Sequence, residues 1–267
     1  MGRVRLYTLL INAKVLNIIV GTHIFREYPD VDAGCTNLHG NPGFLAEYFM
    51  SYEAKGKPFH VEEHPRGRFT TLVDTAVTGC KTVLFTSTYH PPIAGKHYLS
   101  FSGLGPSKFF INDVLAVEQK GPAGNALGFL LGVQEEIHFQ YAFSTSRDYK
   151  IVIETHPSPY SNSELYLMDN QFSVHLGLIS QSEMEQGVLA EAVELAKDAD
   201  LAILFVGNNT QWETEGQDLS SMTLPADGSQ DKLIESVAAV NKNVVVNTTG
   251  VPVELPWLDN VSEFLQT

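Results

Sequence analysis

Between about residues 40 and 175 the chain repeats one pattern: a short apolar run, then Gly, Pro, Asn or Ser. The runs are GFLAEYF, KTVLFTSTY, KHYLSFSG, SKFFIND, IHFQYAF, YKIVIET and FSVHLGL. Short runs rich in aromatic and β-branched residues and bounded by turn formers predict strands. Their mean spacing of about fifteen residues is wider than that of a minimal sandwich, yet still predicts an antiparallel β-sandwich. In KHYLSFSG, Tyr98 and Ser100 alternate with Leu99 and Phe101, so the two faces of that strand carry different chemistry.

The flanks have another texture. Val4 to Ile11 predicts a buried strand and not a signal segment, because Asn12, Lys14 and Asn17 interrupt the apolar run and no clean small-residue cleavage site follows. The Pro/Asp/Gly loop EYPDVDAG comes next. Near residue 182 the period changes. Ser182 and Glu185 match a capping box, and Val188, Ala192, Leu195 and Ala199 recur at helical spacing up to Asp200. LAILFVG then predicts a strand, Gln230 to Val240 a second helix, and NVVVNTTG another strand. Strands apolar on both faces, alternating with helices, predict a parallel sheet. The fold class is therefore α/β plus all-β, a partial parallel-sheet α/β sandwich interrupted by an inserted antiparallel β-sandwich. The segments are 1–38 (the first strand region of the α/β part), 39–176 (the β-sandwich) and 177–267 (the rest of the α/β part, truncated at its C-terminal end).

Composition narrows the partners. With 43% hydrophobic and 18% charged residues the chain is globular. A formal charge of −14 argues against nucleic acid, whose phosphates need clustered Lys and Arg, and against an anionic membrane surface. No stretch reaches the ~20 apolar residues of a membrane-spanning helix. Cys35 and Cys80 stand far apart without CxxC spacing, so two free thiols or one disulfide are open to them. The nine histidines form no HEXXH pattern, and neither a metal nor a cofactor is predicted. Gly103 and Gly105 fall in a turn after a strand, without a phosphate-loop pattern. Sequons at Asn208, Asn247 and Asn260 are short enough to arise by chance.

The chemistry concentrates in one loop. NNTQWETEGQDLSSMTLP, eighteen residues long, is long for an α/β unit and lies at the carboxyl end of its strand, where open α/β sheets place ligands. It holds Glu213, Glu215 and Asp218 beside Trp212. Carboxylates next to an indole suit sugar chemistry: the ring stacks on a pyranose face, and a carboxyl in partly apolar surroundings can keep a proton to donate. A solvated acidic loop with Trp212 in the core fits the same spacing.

From about Met184 to Leu258 the chain resembles the C-terminal α/β sandwich domain of glycoside hydrolase family 3, the β-glucosidase family. The resemblance rests on AVELAKDADLAILFVG, WETEGQD with LP following, QDKLIESVAAV and NVVVNTTGVPVELPW. In that family an E-G-x-D-R motif supplies the general acid/base, which falls on Glu215, followed by Gly216 and Asp218; Leu219 occupies the family's Arg position. The resemblance implies loop bracing or sugar contact for Asp218. By their residue type and place in the loop, Trp212 is a sugar-stacking platform or core filler, and Glu213 assists Glu215 electrostatically or is an exposed carboxylate, with Trp212, Glu213 and Asp218 as the substrate-binding candidates. GFLAEYF, GKHYLSFSGLGPSKFFIND and FSVHLGL resemble the protective-antigen-type β-sandwich that some fungal β-glucosidases carry as an insertion. Some such modules hold calcium-linked acids near the position of Asp113, which here has no neighbouring Asp and is predicted to be a turn residue.

A retaining glycosidase needs a second carboxylate as nucleophile. In the family that Asp lies on a (β/α)₈ barrel, for which these 267 residues have no pattern. The resemblance therefore implies part of a retaining β-glucosidase releasing terminal β-linked glucose, with β-glucosides or oligosaccharides as substrate and negligible activity in isolation. Two other readings stand beside it: a non-catalytic carbohydrate-binding module built on the β block, and a remnant without binding. Relatives include secreted and intracellular enzymes; secretion is the expectation here.

Overall fold

The structure, a computed structural model, describes residues 17–71, 77–124, 128–129, 136–159, 168–214, 219, 221–225 and 228–267. Its contacts form two compact units, 26–185 and the combination of 1–25 with 186–267. The sequence placed its boundaries at 38/39 and 176/177. Residues 26–31 group with the sandwich because they hydrogen-bond to its last strand: Val31 N donates to Leu176 O (3.1 Å) and Leu178 N to Pro29 O (2.9 Å). The strand expected at Val4–Ile11 lies outside the described residues.

The larger unit is an antiparallel β-sandwich. One sheet runs in the order β3(His60–His64), β2(Phe44–Phe49), β5(Thr82–Tyr89), β10(Tyr149–Thr155), β7(Ser107–Ile111), β8(Val114–Gln119), with β1(Cys35–Thr36) also on β5. The other runs β4(Arg68–Thr70), β11(Ser173–Ser180), β6(Gly95–Gly103), β9(Ile137–Phe143). All seven apolar runs form strands. Cys35–Thr36 and the edge strands HVEEH, RFT and VLAVEQ are missed by the pattern: HVEEH is polar, Cys35–Thr36 and RFT are only two and three residues long, and VLAVEQ leaves apolar side chains exposed.

The core lies between the sheets. Phe44, Phe85, Phe109, Ile151 and Ile153 from one face Phe69, Leu99, Phe101, Val174 and Leu176 from the other, all buried. Phe85 stacks on Phe44 at 4.5 Å and meets Phe69 at 4.8 Å, spacings at which aromatic pairs add to simple burial. Cys35 and Cys80 are buried free thiols, and burial pushes Cys35 up to about 12, so neither is a ready nucleophile. Asn112 and Asp113 turn β7 into β8 with positive φ values of 50° and 62°, a conformation Asn and Asp tolerate. Asp113 pairs with Lys150 Nζ at 2.8 Å, which makes it the turn residue the sequence predicts.

The smaller unit is α/β. Its described strands β12(Ala202–Val206), β13(Asn243–Asn247) and β14(Glu263–Gln266) form a parallel sheet in that order. Helix α1(Gln181–Met184) still belongs to the sandwich unit, while α2(Val188–Lys197) and α3(Ser229–Ala238) belong here. The capping box is formed by Ser180 and Glu183, not by Ser182 and Glu185. The helical pattern also breaks at Gly187, which caps α2. The frame differs because Ser180 ends β11 and caps α1 at the same time, and the Gln186–Gly187 step separates α1 from α2, which carries Val188, Ala192 and Leu195 of the apolar period. Leu233 and Val237 of α3 pack on Ala192 and Ala196 of α2, and Ile234 packs with Val206, Val245 and Trp257.

Candidate functional site

The parallel pair β12 and β13 ends at Val206 and Asn247, and the loops leaving these carboxyl ends face each other. Gly207 has φ +145°, and a Cβ there would lie 2.9 Å from the carbonyl carbon of Thr248. Only glycine fits that crossing without displacing the backbone. Gln230, the second residue of α3 and buried, reaches back to it: Oε1 accepts from Gly207 N (2.8 Å) and Nε2 donates to Gly207 O (2.9 Å). This reciprocal pair satisfies both polar groups of a residue that has left the sheet ladder.

From that anchor the loop folds on itself. Asn209 O accepts from Trp212 N (3.0 Å) and from Glu213 N (2.9 Å), while Asn209 Oδ1 accepts from Gln211 N (3.0 Å), an Asx turn. The Trp212 indole N–H donates to Ile24 O at 2.5 Å. Glu213 Oε2 accepts from Asn208 Nδ2 at 2.9 Å, and Oε1 fills the space a Cβ on Gly250 would need. The far foot of the loop is fixed by Leu224, buried beside Ile234 and Trp257, and by Glu254 N donating to Met222 O (2.8 Å). Behind the site, Asn247 Nδ2 donates to Thr249 Oγ1 (2.8 Å) and Gln266 Oε1 (2.9 Å), joining the ends of β13 and β14.

The structure thus brings Trp212 and Glu213 together at the carboxyl edge of the parallel strands, each held by a specific hydrogen bond. Glu215 and Asp218 lie outside the described residues. Leu219 is exposed. Sequence reasoning passes over Gln230, Asn208 and Gly250, whose contributions come from contacts between separate elements. A glycine directly after an apolar strand is the one local signal.

Among the described residues, Glu27, Glu136 and His175 of the sandwich bring ligand atoms within 4.8 Å of one another. This is the spacing of a metal site, but the chemistry speaks against one. His175 has Glu136 Oε1 2.6 Å from Nδ1 and Asp30 Oδ1 2.9 Å from Nε2, and the Arg68 guanidinium sits 2.5 Å from Glu27 Oε2. A cation would have to displace these partners. No described helix is long and apolar enough to cross a membrane.

The comparisons with known proteins agree with this architecture. The model of the glycosyl hydrolase family 3 C-terminal domain matches residues 51–267. The chain belongs to that family. It is 38% identical over 247 residues to β-glucosidase B of Emericella nidulans, covering 92% of this chain and 29% of the relative. It is also 31% identical over 227 residues to a β-glucosidase of Rhizobium radiobacter, covering 82% of this chain and 26% of the relative. The crystal structure of the Kluyveromyces marxianus β-glucosidase in complex with glucose superposes with a TM-score of 0.72, at 22% identity over 93% of this chain and 30% of that chain; this likeness concerns the fold. The family 3 chain therefore spans under a third of the length of these relatives.

Proposed function

We propose that this chain carries the acid/base wall of a retaining β-glucosidase pocket, with Glu215 donating a proton to the departing glycosidic oxygen and β-glucosides or oligosaccharides as substrates. The observation that supports this reading is the loop from Gly207 to Leu224. Both its feet are pinned, by Gln230 and by the core around Trp257, and it emerges where parallel sheets present ligands, in a chain whose β-glucosidase relatives reach 38% identity. Trp212 and Glu213 act in this reading as braces, because Ile24 O and Asn208 Nδ2 already hold their polar atoms. Asp218 steadies the same loop without the partnership of the family's Arg, whose place Leu219 takes. The sandwich is the inserted protective-antigen-type module, and the parent enzyme is secreted.

The nucleophile must come from outside these residues. The 267-residue chain alone is expected to hydrolyse aryl β-glucosides negligibly. A chimera of β-glucosidase B in which this chain replaces the matching region tests the role directly. With Glu215→Gln, turnover of substrates with poor leaving groups should fall by ~10²–10⁴, while aryl leaving groups that need no proton lose far less. Equal losses for both substrate types, or none, would remove Glu215 from the role.

A further inference from the structure

The chain enters the sandwich through residues 26–31 and leaves it through β11, and these two segments lie side by side. Asp30 bridges to Gly177, and backbone bonds join Val31 to Leu176 and Leu178 to Pro29. Gly67 N donates to Val31 O (2.7 Å), and Leu176 N to Gly67 O (2.7 Å). Tyr28 N donates to Ser100 Oγ (3.1 Å), and its ring stacks on His138 at 4.8 Å. Side chains of opposite charge run through the same seam. Glu27 and Asp30 come from the entering segment, His175 from β11, Arg68 from β4, and Glu136 from just before β9. Arg68 spans the two entering acids, at 2.5 Å from Glu27 and 3.1 Å from Asp30. The His175 ring joins Asp30 to Glu136, whose Oε1 also accepts from Ser102 Oγ (2.6 Å). The side chains of His175 and Glu136 are 1% and 0% exposed.

We propose that Glu27, Asp30, Arg68, Glu136 and His175 form a proton-operated latch that clamps the chain entering the sandwich to the strand leaving it. Three carboxylates face two cations, so the cluster is complete only if His175 is an imidazolium and one acid keeps a proton. A neutral imidazole has one N–H: with Nδ1 donating to Glu136 (2.6 Å), it would set a bare Nε2 lone pair 2.9 Å from an Asp30 carboxylate oxygen. Losing that proton leaves a buried carboxylate without its counter-charge, which is the costly way to break such a cluster.

The pKa directions agree in sign. Burial depresses His175, but Asp30 and Glu136 overcome it and raise the ring above the ordinary imidazole range. Burial also raises Glu27, against the pull of His175 and Arg68. Burial acts the same way on Asp30, yet His175 and Arg68 bring it down to about 2, and Glu136 is lowered by His175 in the same sense. His175, raised in the fold, holds the latch fully below the unfolded imidazole value of ~6.5 and releases it as pH climbs through the folded value. The lowered acids hold it above ~4 and release it as pH falls toward their folded values.

Nitrogen-detected NMR of the histidine rings in the intact chain tests the latch. His175 should keep both ring protons at neutral pH and lose one only above the pH at which a free imidazole titrates. Across that same titration, exchange of the Tyr28, Val31, Leu176 and Leu178 amides, corrected for intrinsic rates, should accelerate by about tenfold or more. Glu136→Gln should move the His175 titration downward, and the wild-type titration stands by itself if that variant fails to fold. A neutral His175 ring at neutral pH, amides indifferent to its deprotonation, or displacement of a ring proton by added Zn²⁺ would each overturn the proposal.

Discussion

The sandwich and the α/β unit solve burial differently. In the sandwich, β7 and β10 alternate buried and less buried positions, β2, β5 and β11 are buried along most of their length, and Phe44, Phe85, Leu99, Phe101, Phe109, Ile151 and Ile153 are all fully buried. In the α/β unit the covering is uneven. β13 is buried along its whole length, whereas β12 buries only Val206 and leaves Phe205 66% exposed. One region invests its residues in a core closed on itself. The other also ties down the carboxyl ends of its strands, where Gln230, Asn208 and Asn247 hold loops in place. The first is organised around a packed interior and the second around loops pinned at strand ends, because close packing favours regular backbone while connecting loops are irregular.

The sharpest way to break this comparison is Phe85→Ala. Deleting a ring wedged between Phe44 and Phe69 should cost ~3–5 kcal/mol. In denaturant unfolding followed region by region with hydrogen exchange, the loss should appear in the sandwich strands and spare β12 and β13. Equal losses in both regions would show that the two cores unfold as one. Gln230→Ala comes next. It leaves the N–H and C=O of Gly207 buried without partners, at ~1–3 kcal/mol, with faster exchange at the Gly207 amide and an unchanged sandwich. At the small end, Phe205→Ser should change stability by no more than ~0.5 kcal/mol, since the ring is already in water; a larger loss would mean that β12 is covered in solution.

Much of this is legible without coordinates. Seven of the sandwich strands, two of the three described parallel strands and α3 follow from period and composition, because each repeats a burial pattern a handful of residues long. The acidic loop can be located because it interrupts such a pattern at a strand's end. The helix start near residue 182 falls in the wrong frame, since the Ser and Glu of a capping signature recur two residues apart in ISQSEMEQ and only the end of β11 selects Ser180. Edge strands such as HVEEH escape because their side chains answer to solvent more than to a core.

By itself, then, the order of residues determined most of the strands and helices and which loop carries the carboxylates. These are local properties, readable within a few turns of chain. Only the tertiary structure decided that Gln230 holds Gly207 across 23 positions and that His175 meets Asp30 and Glu136. Pairings of this kind depend on strand order and sheet packing, which bring distant residues to hydrogen-bond distance and leave no period in the sequence to find.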